Sequence, residues 1–196
     1  MKLSELCSRE SLEEEDIALF RELAMDIEVD VNLPCLTNPC PLLRVCSSNR
    51  SENLFDCVEG LLQRALDIRV NDSNNWNALI IVCMSNGSSK LLDIVRLFVE
   101  RGISVRATSK SGWSVLSQAV INLSLNNHDH PDFLAIVRFL LESGIRSMDD
   151  DGNKELRLSL LQQKMDSETG GDGRLSNLDN MMRLLEEYLV IVNIKN

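Results

Sequence analysis

Few residues in this chain of 196 residues could do chemistry by their type and spacing. The densest group is His128, Asp129 and His130, with Asp132 two residues further on. Two imidazoles at i and i+2 can reach one ion or share acid–base work, but a metal site needs three or four ligands in fixed geometry. The alternative is that Asp132 caps a helix after Pro131, with both histidines exposed to solvent in the preceding loop. We expect this second arrangement, and no metal.

The cysteines give no stronger indication of a metal site or of catalysis than the histidines do. There are six, and no two of them form a C-x-x-C pair: Cys7, Cys35, Cys40, Cys46, Cys57 and Cys83. Because the N-terminus lacks a secretory signal, we expect reduced thiols that pack as small apolar residues. Nucleotide-binding glycine loops, the G-x-S-x-G nucleophile elbow and the H-E-x-x-H zinc helix are all absent from the sequence. We therefore expect a protein without catalysis or cofactor.

Composition and charge narrow the class of partner. Hydrophobic residues make up 44% of the chain and charged residues 26%, as in ordinary folded proteins. The formal net charge of -10 argues against nucleic-acid binding, which needs Lys and Arg to neutralise phosphates. It fits a protein partner with a basic surface, or simply a well-solvated surface. No apolar run is long enough to cross a membrane. We expect a monomeric, intracellular protein of the cytoplasm.

Apolar periodicity predicts helices before and after a proline-rich turn. Leu3 and Leu6 predict a short helical turn. The stretch Ser11-Leu12-Glu13-Glu14 has the form of a capping box, and the apolar stripe after it predicts a helix to about residue 28. Pro34, Pro39 and Pro41 interrupt helix, after which a short helix at 42–46 and a longer one at 54–65 are expected.

One pattern is then written twice between residues 71 and 144. The first copy begins Asn75-Trp76-Asn77-Ala78-Leu79 and the second Gly112-Trp113-Ser114-Val115-Leu116. Each copy predicts a turn, a short apolar helix, a polar loop and an amphipathic helix closed by Gly102 or Gly144. Such self-similarity is typical of a solenoid of helix pairs. Related anchors, Val58, Val95, Val137 and Met181, step by 37, 42 and 44 residues, and we assign the drift to the loop between paired helices.

These residues resemble the ankyrin repeat, a unit of a β-turn and two antiparallel helices with a T-P-L-H signature. The matching stretches are Cys40-Pro41-Leu42-Leu43, Asn77-Ala78-Leu79-Ile80, Ser114-Val115-Leu116-Ser117 and Lys154-Glu155-Leu156-Arg157. The leucine is present in all four. The Thr is replaced and the His absent, so we expect the hydrogen bonding of that pair to be lost. TPR and HEAT repeats are the structural alternatives, but the 12-residue step from helix end to next turn favours the ankyrin type.

The resemblance implies an all-α fold, an α-solenoid of stacked ankyrin-type helix pairs with β-turn fingers. Within it we expect three regions. Residues 1–37 would form an N-terminal capping helix region from a degenerate repeat. Residues 38–153 would hold the ankyrin-type repeats, and residues 154–196 a C-terminal degenerate capping repeat with a long loop.

The resemblance also implies a protein–protein interaction module, an adaptor or regulator, that binds through its concave face. A regulatory or inhibitory subunit of an enzyme is the alternative. Tryptophan at the finger position is typical of a binding anchor, although it could instead pack against the neighbouring finger. The residues expected to bind the partner are Trp76, Trp113, Ser73, Asn74, Lys110, Ser111, Met84, Ser85, Ile121 and Asn122.

Overall fold

The computed structural model describes residues 3–10, 12–26, 40–64, 67–125, 130–143 and 183. These residues form eight α-helices and no strand, and one isolated antiparallel bridge joins Thr108 to Ser114. The all-helical prediction is confirmed, including the short turn at the N-terminus. The helices are α1 (Leu3–Leu6), α2 (Glu14–Met25), α3 (Pro41–Ser48), α4 (Leu54–Leu62), α5 (Ala78–Ser85), α6 (Leu91–Glu100), α7 (Val115–Leu125) and α8 (Phe133–Glu142).

The helices stack as pairs in two rows. The inner row holds α1, α3, α5 and α7, and each of these helices contacts the next one in the row. The outer row holds α2, α4, α6 and α8, which contact one another in the same order. Each inner helix also packs against the outer helix that follows it in the chain. This is the arrangement of a solenoid, in which each repeat buries its apolar surface against its neighbours.

The position of a helix in the stack explains its composition. Helix α5 is enclosed by α3, α7 and α6, and all six residues from Ala78 to Cys83 are buried. Helix α6 faces the core on one side only, so Val95 and Phe98 are buried whereas Asp93 and Glu100 are exposed. A helix that is apolar all round is buried, and an amphipathic helix lies at the surface.

The described cysteines contribute to this core. Cys7, Cys40, Cys46, Cys57 and Cys83 are all buried thiols. Burial raises the pKa of Cys7, Cys57 and Cys83 to about 12, and it also raises the pKa of Cys46 well above its ordinary value. Because the thiolate is the reactive form, these thiols are chemically quiet packing residues. Cys35 lies outside the described residues.

Three buried asparagines form a ladder along the inner row. The side-chain amide of Asn86 donates to the carbonyl of Asn49 (3.3 Å), and that of Asn122 donates to the carbonyl of Asn86 (2.8 Å). The oxygens of Asn49 and Asn86 accept from the amides of Ser51 and Ser88, each at 2.9 Å. Asn49 begins the ladder, and its own side-chain amide has no acceptor among the described residues. The ladder satisfies backbone groups at the ends of the inner helices.

Arginines link successive helices of the outer row. Arg64 donates to the carbonyls of Ala24 (3.2 Å) and Asp26 (2.8 Å) at the end of α2. Arg101, 37 residues later, donates to the carbonyl of Leu62 (2.7 Å) at the end of α4. A cation at a helix C-terminus satisfies its last carbonyls and complements the helix dipole.

The start of α2 differs from the sequence prediction. The helix begins at Glu14, and Glu13 is the N-cap residue, without a side-chain capping bond. Ser11, the expected cap, lies outside the described residues. The first turn does carry Glu14, Glu15 and Asp16, whose charges favour the positive end of the helix dipole.

The extra residues of the third helix pair are only partly in the loop. The step from Leu79 to Val95 is 16 residues and that from Leu116 to Val137 is 21. Helix α7 continues nine residues past Leu116, whereas α5 continues six past Leu79, so three of the five extra residues lengthen the helix. Assigning all the drift to the loop was therefore wrong for this pair. Leu116 to Leu125 contain no Gly or Pro that would end the helix sooner.

Candidate partner-binding face

Two loops with left-handed tips lead into the inner helices. Residues 67–76, here called finger 1, precede α5, and residues 104–113, called finger 2, precede α7. Asn75 has φ 64° and Gly112 has φ 85°, and the two residues occupy equivalent places 37 residues apart. Glycine, and among other residues asparagine, adopts this conformation most readily. The two fingers therefore share one turn geometry.

The same hydrogen bonds close both fingers. The amide of Asp72 donates to the carbonyl of Trp76 (3.0 Å), and the amide of Ser109 donates to the carbonyl of Trp113 (2.9 Å). In finger 1 a carboxylate oxygen of Asp72 also accepts from the amide of Trp76 (2.8 Å). In finger 2 the hydroxyl of Ser109 accepts from the amide of Trp113 (3.1 Å). These bonds fix the backbone on which both tryptophans sit.

The fingers are also bonded to each other. The side-chain amide of Asn75 donates to the carbonyl of Thr108 (2.7 Å), and the amide of Lys110 donates to the carbonyl of Asn74 (2.9 Å). Both bonds join the tip of finger 1 to finger 2. The two fingers thus present one continuous edge.

The expected loss of hydrogen bonding at the signature positions was wrong for the second and third signatures, where other residues supply it. Asn77 accepts from the amide of Ile80 (2.8 Å) and donates to the carbonyl of Ser104 (3.2 Å). Ser114 accepts from the amide of Ser117 (3.1 Å), and the hydroxyl of Ser117 donates back to the carbonyl of Ser114 (2.9 Å). Asn and Ser are good N-cap residues, so α5 and α7 begin on satisfied caps, whereas Cys40 at the start of α3 makes no side-chain capping bond.

Trp76 and Trp113 are both partly exposed. Trp76 is partly buried and packs against the hydrophobic core, and its indole nitrogen is buried without a partner among the described residues. This geometry favours packing for Trp76. Trp113 is also partly exposed, and residues 144–182 and 184–196 lie outside the described part of the chain.

Most of the other predicted binding residues lie at the surface. Four finger residues are exposed, namely Ser73, Asn74, Lys110 and Ser111, and three helix residues are partly buried, namely Met84, Ser85 and Ile121. Asn122 is different. Its side chain is only 1% exposed and belongs to the asparagine ladder, so it cannot line a groove.

His130 was predicted to be a solvent-exposed loop residue, and this was wrong. It is 8% exposed, and its Nε2 lies 2.7 Å from the carbonyl oxygen of Ser88. Its Nδ1 accepts from the amide of Asp132 (3.1 Å), so Nε2 must carry the proton that Ser88 accepts. The side chain of Asp132 occupies the N-cap position without a capping bond. His128 and Asp129 lie outside the described residues.

Glu52 makes a second link that sequence reasoning missed. Its carboxylate accepts from the amide (2.9 Å) and the hydroxyl (2.6 Å) of Ser89. The hydroxyl bond lowers the pKa of Glu52, against a smaller opposing effect of burial. Glu52 and Ser89 are 37 residues apart, and this step was the one available signal that they occupy adjacent repeats.

The comparison with protein families agrees with this geometry. The family model described as ankyrin repeats, in three copies, matches residues 42–151, which is more than half of the chain. The chain belongs to the ankyrin-repeat family. No curated protein matches it. Ankyrin repeats generally mediate protein–protein interactions and are typically not catalytic.

The ankyrin fingers carry an excess of basic side chains. Arg69, Arg106 and Lys110 are exposed, and the two arginines occupy equivalent places 37 residues apart. The acidic residues of the fingers are Asp67 and Asp72, and an oxygen of Asp72 accepts two finger amides. Helices α5 and α7 contain no charged residue. We expected a basic partner because the whole chain has a net charge of -10. The fingers themselves carry more bases than carboxylates.

Two further findings concern chemistry and membranes. In the part of the chain that the structure describes, no three His, Cys, Asp or Glu side chains are grouped so that they could hold a metal ion. None of the helices described here combines the length and apolar character that a membrane span requires.

Proposed function

We propose that this ankyrin-repeat chain is a non-catalytic interaction module that binds a partner protein through its finger face. The finger face is defined here as fingers 1 and 2 together with α5 and α7. The observation that carries the proposal is that Met84 on α5 and Ile121 on α7 occupy equivalent places and are both partly exposed. Neither helix contains a charged residue. Beside them lie the fingers, whose closing bonds and mutual bonds fix a ready-made edge. A surface that is already ordered loses little entropy when a partner binds.

Trp113 is the proposed anchor of this face. It is partly exposed, and its backbone amide donates to the hydroxyl of Ser109, so the backbone that carries the ring is held in place. Tryptophan is enriched among residues that dominate binding energy. Trp76 is proposed as a weaker contributor because it also packs against the core.

The test compares folding with binding in Trp113→Ala. We expect retention of partner protein captured from native lysate to fall by an amount equivalent to ~2 kcal/mol or more. The melting temperature should change little. The matched control is Glu100→Ala, a truncation at an exposed residue on the outer helix α6, which should leave both quantities unchanged. If Trp113→Ala instead costs ~3–5 kcal/mol of stability, the ring is a packing residue.

We further propose that the chain acts as a monomeric adaptor or regulator, with inhibition of an enzyme as the alternative. The two roles are separated by assaying the captured partner, because only an inhibitor abolishes its partner's activity on binding. We retain the division into caps and repeats as a proposal. Its support at the N-terminal end is the packing of α1 and α2 on α3 and α4.

A further inference from the structure

The described charges are distributed unevenly over the molecule. Residues 3–10 and 12–26, which include α1 and α2, carry eight carboxylates and two arginines. The exposed bases Arg69, Arg106 and Lys110 lie instead on the fingers. In a chain with a net charge of -10, the fingers thus carry three bases against two carboxylates, Asp67 and Asp72. Long-range attraction depends on such local fields as well as on net charge.

The basic side chains are placed regularly rather than scattered. Arg69 and Arg106 are 37 residues apart, the same step that separates Trp76 from Trp113 and Asn75 from Gly112. Because the two fingers have the same closing bonds, residues at equivalent places occupy the same position in the turn. Lys110 lies at the tip of finger 2, where its backbone is bonded to Asn74 of finger 1. The bases therefore form a row along the edge.

The row lies beside an uncharged, partly apolar surface. Helices α5 and α7 supply Met84 and Ile121 without any charged neighbour in either helix. A ligand that covers the finger face would meet cations along the fingers and apolar side chains along the helices. The chemistry that complements both is a polypeptide segment that combines carboxylates with apolar side chains.

We propose that the finger face selects an acidic segment of a partner protein, with Arg69, Arg106 and Lys110 facing its carboxylates. This inference rests on the proposed function, since it names the partner chemistry of the same face. It is opposite to the partner chemistry that the whole-chain charge suggests. Arginine suits this role because its guanidinium group can bind a carboxylate through two parallel hydrogen bonds.

The test uses the full chain and two fluorescein-labelled peptides. One peptide is Gly-Glu-Glu-Leu repeated four times, and the other is Gly-Lys-Lys-Leu repeated four times. Fluorescence anisotropy should show tighter binding of the acidic peptide, although whole-chain repulsion acts against it. The affinity should fall as salt rises from about 50 to 300 mM, because added salt screens exposed charge pairs.

Charge-reversal variants test whether the acidic peptide binds at the basic residues of the fingers. Arg106→Glu combined with Lys110→Glu should weaken binding of the acidic peptide by about 10-fold or more. The matched control is Arg96→Glu combined with Arg138→Glu, which makes the same change of charge on the exposed side of the outer helices. This control should retain most of the affinity. Circular dichroism of each variant establishes that it is folded.

Three results with the purified chain would overturn the inference. The first is equal or tighter binding of the basic peptide, and the second is tighter binding of a short single-stranded oligonucleotide. The third is a dimer in sedimentation experiments that dissociates as salt rises and that Arg106→Glu combined with Lys110→Glu abolishes. The bound acidic segment would then be residues 3–26 of a second copy of this chain. If charge reversal leaves capture of the native partner unchanged while Trp113→Ala abolishes it, only the charge inference fails. If neither variant affects capture, the proposed function fails too.

Discussion

Single polar side chains hold the repeats of this protein together. His130 joins the start of α8 to the carbonyl of Ser88, one repeat earlier, while it also accepts the amide of Asp132. The asparagine ladder and the bonds that Glu52 accepts from Ser89 also join successive repeats. A buried group that loses its hydrogen-bond partner bears the cost of desolvation without compensation. His130 and the three asparagines, which are buried, are therefore expected to matter for stability more than for binding.

His130→Ala tests this expectation. The variant leaves the carbonyl of Ser88 and the amide of Asp132 without their partner, so we expect the free energy of unfolding to fall by ~1–3 kcal/mol. Asp132→Ala is the matched control. Its side chain makes no capping bond, and only its interaction with the helix dipole is lost, about 0.3–1 kcal/mol. Urea titration of both variants measures the difference. A larger loss for Asp132→Ala would mean that its carboxylate, and not His130, caps α8.

The sequence predicts which apolar residues are buried, but it does not predict the hydrogen-bond partners of His130 and the asparagines. The buried positions of α6 follow from its apolar periodicity, and those of α5 follow from its uniformly apolar sequence. His130 could not be placed in the same way, because its partner lies 42 residues earlier and the intervening loop has its own length. Asn122 was misassigned for a related reason, since its exposure depends on whether the preceding repeat offers an acceptor. Hydrogen bonds between repeats are set by stacking, which local sequence does not encode.

At the scale of elements, two glycines have different roles: Gly102 lies at the C-terminal cap of α6, and Gly60 lies inside α4. At the end of α6 the amide of Gly102 donates to the carbonyl of Val99, and that of Ile103 donates to the carbonyl of Phe98, both at 3.0 Å. With φ 84° at Gly102, this pattern is a Schellman C-cap. Gly60 lies within α4, where a Cβ atom would meet Cγ of Arg21 at 3.7 Å, an ordinary contact distance.

The two glycines should respond oppositely to alanine. Gly60→Ala should raise the free energy of unfolding by ~0.5–1 kcal/mol, because alanine restricts the unfolded chain and fits the available space. Gly102→Ala should lower it by ~1–2 kcal/mol, because a Cβ atom is strained at positive φ. Urea unfolding of the two variants checks both signs. Destabilisation by Gly60→Ala would show that α2 and α4 pack too closely for a methyl group.

Helix existence was easier to predict than helix ends. The pattern written twice predicted α5 to α8, and its second helices, α6 and α8, show apolar periodicity over ten residues. The ends depended on details that periodicity does not contain. Helix α2 begins at Glu14 instead of after Ser11, and α7 extends to Leu125 because nothing in its sequence stops it.

At the scale of the whole molecule, stacking determines both shape and charge distribution. Repeats that contact only their neighbours place equivalent residues in rows, so a 37-residue step becomes a row of fingers. The row of bases on the fingers and the carboxylates of residues 3–26 lie on different parts of one chain. Net charge alone could not predict this separation, since it follows from which residues the fold brings to one edge. The finger positions themselves could be predicted, because the repeat was visible in the sequence.

The central claim is that a partner protein binds the finger face. Site-specific photo-crosslinking tests it directly, with p-benzoylphenylalanine placed either at Ser73 on finger 1 or at Glu100 on the outer helix α6. Both positions are exposed, so the two proteins differ in which surface carries the probe. After irradiation in native lysate, we expect a discrete covalent adduct from the probe at Ser73 and none from the probe at Glu100. An adduct from Glu100 alone would contradict it, and would place the partner on the outer helices.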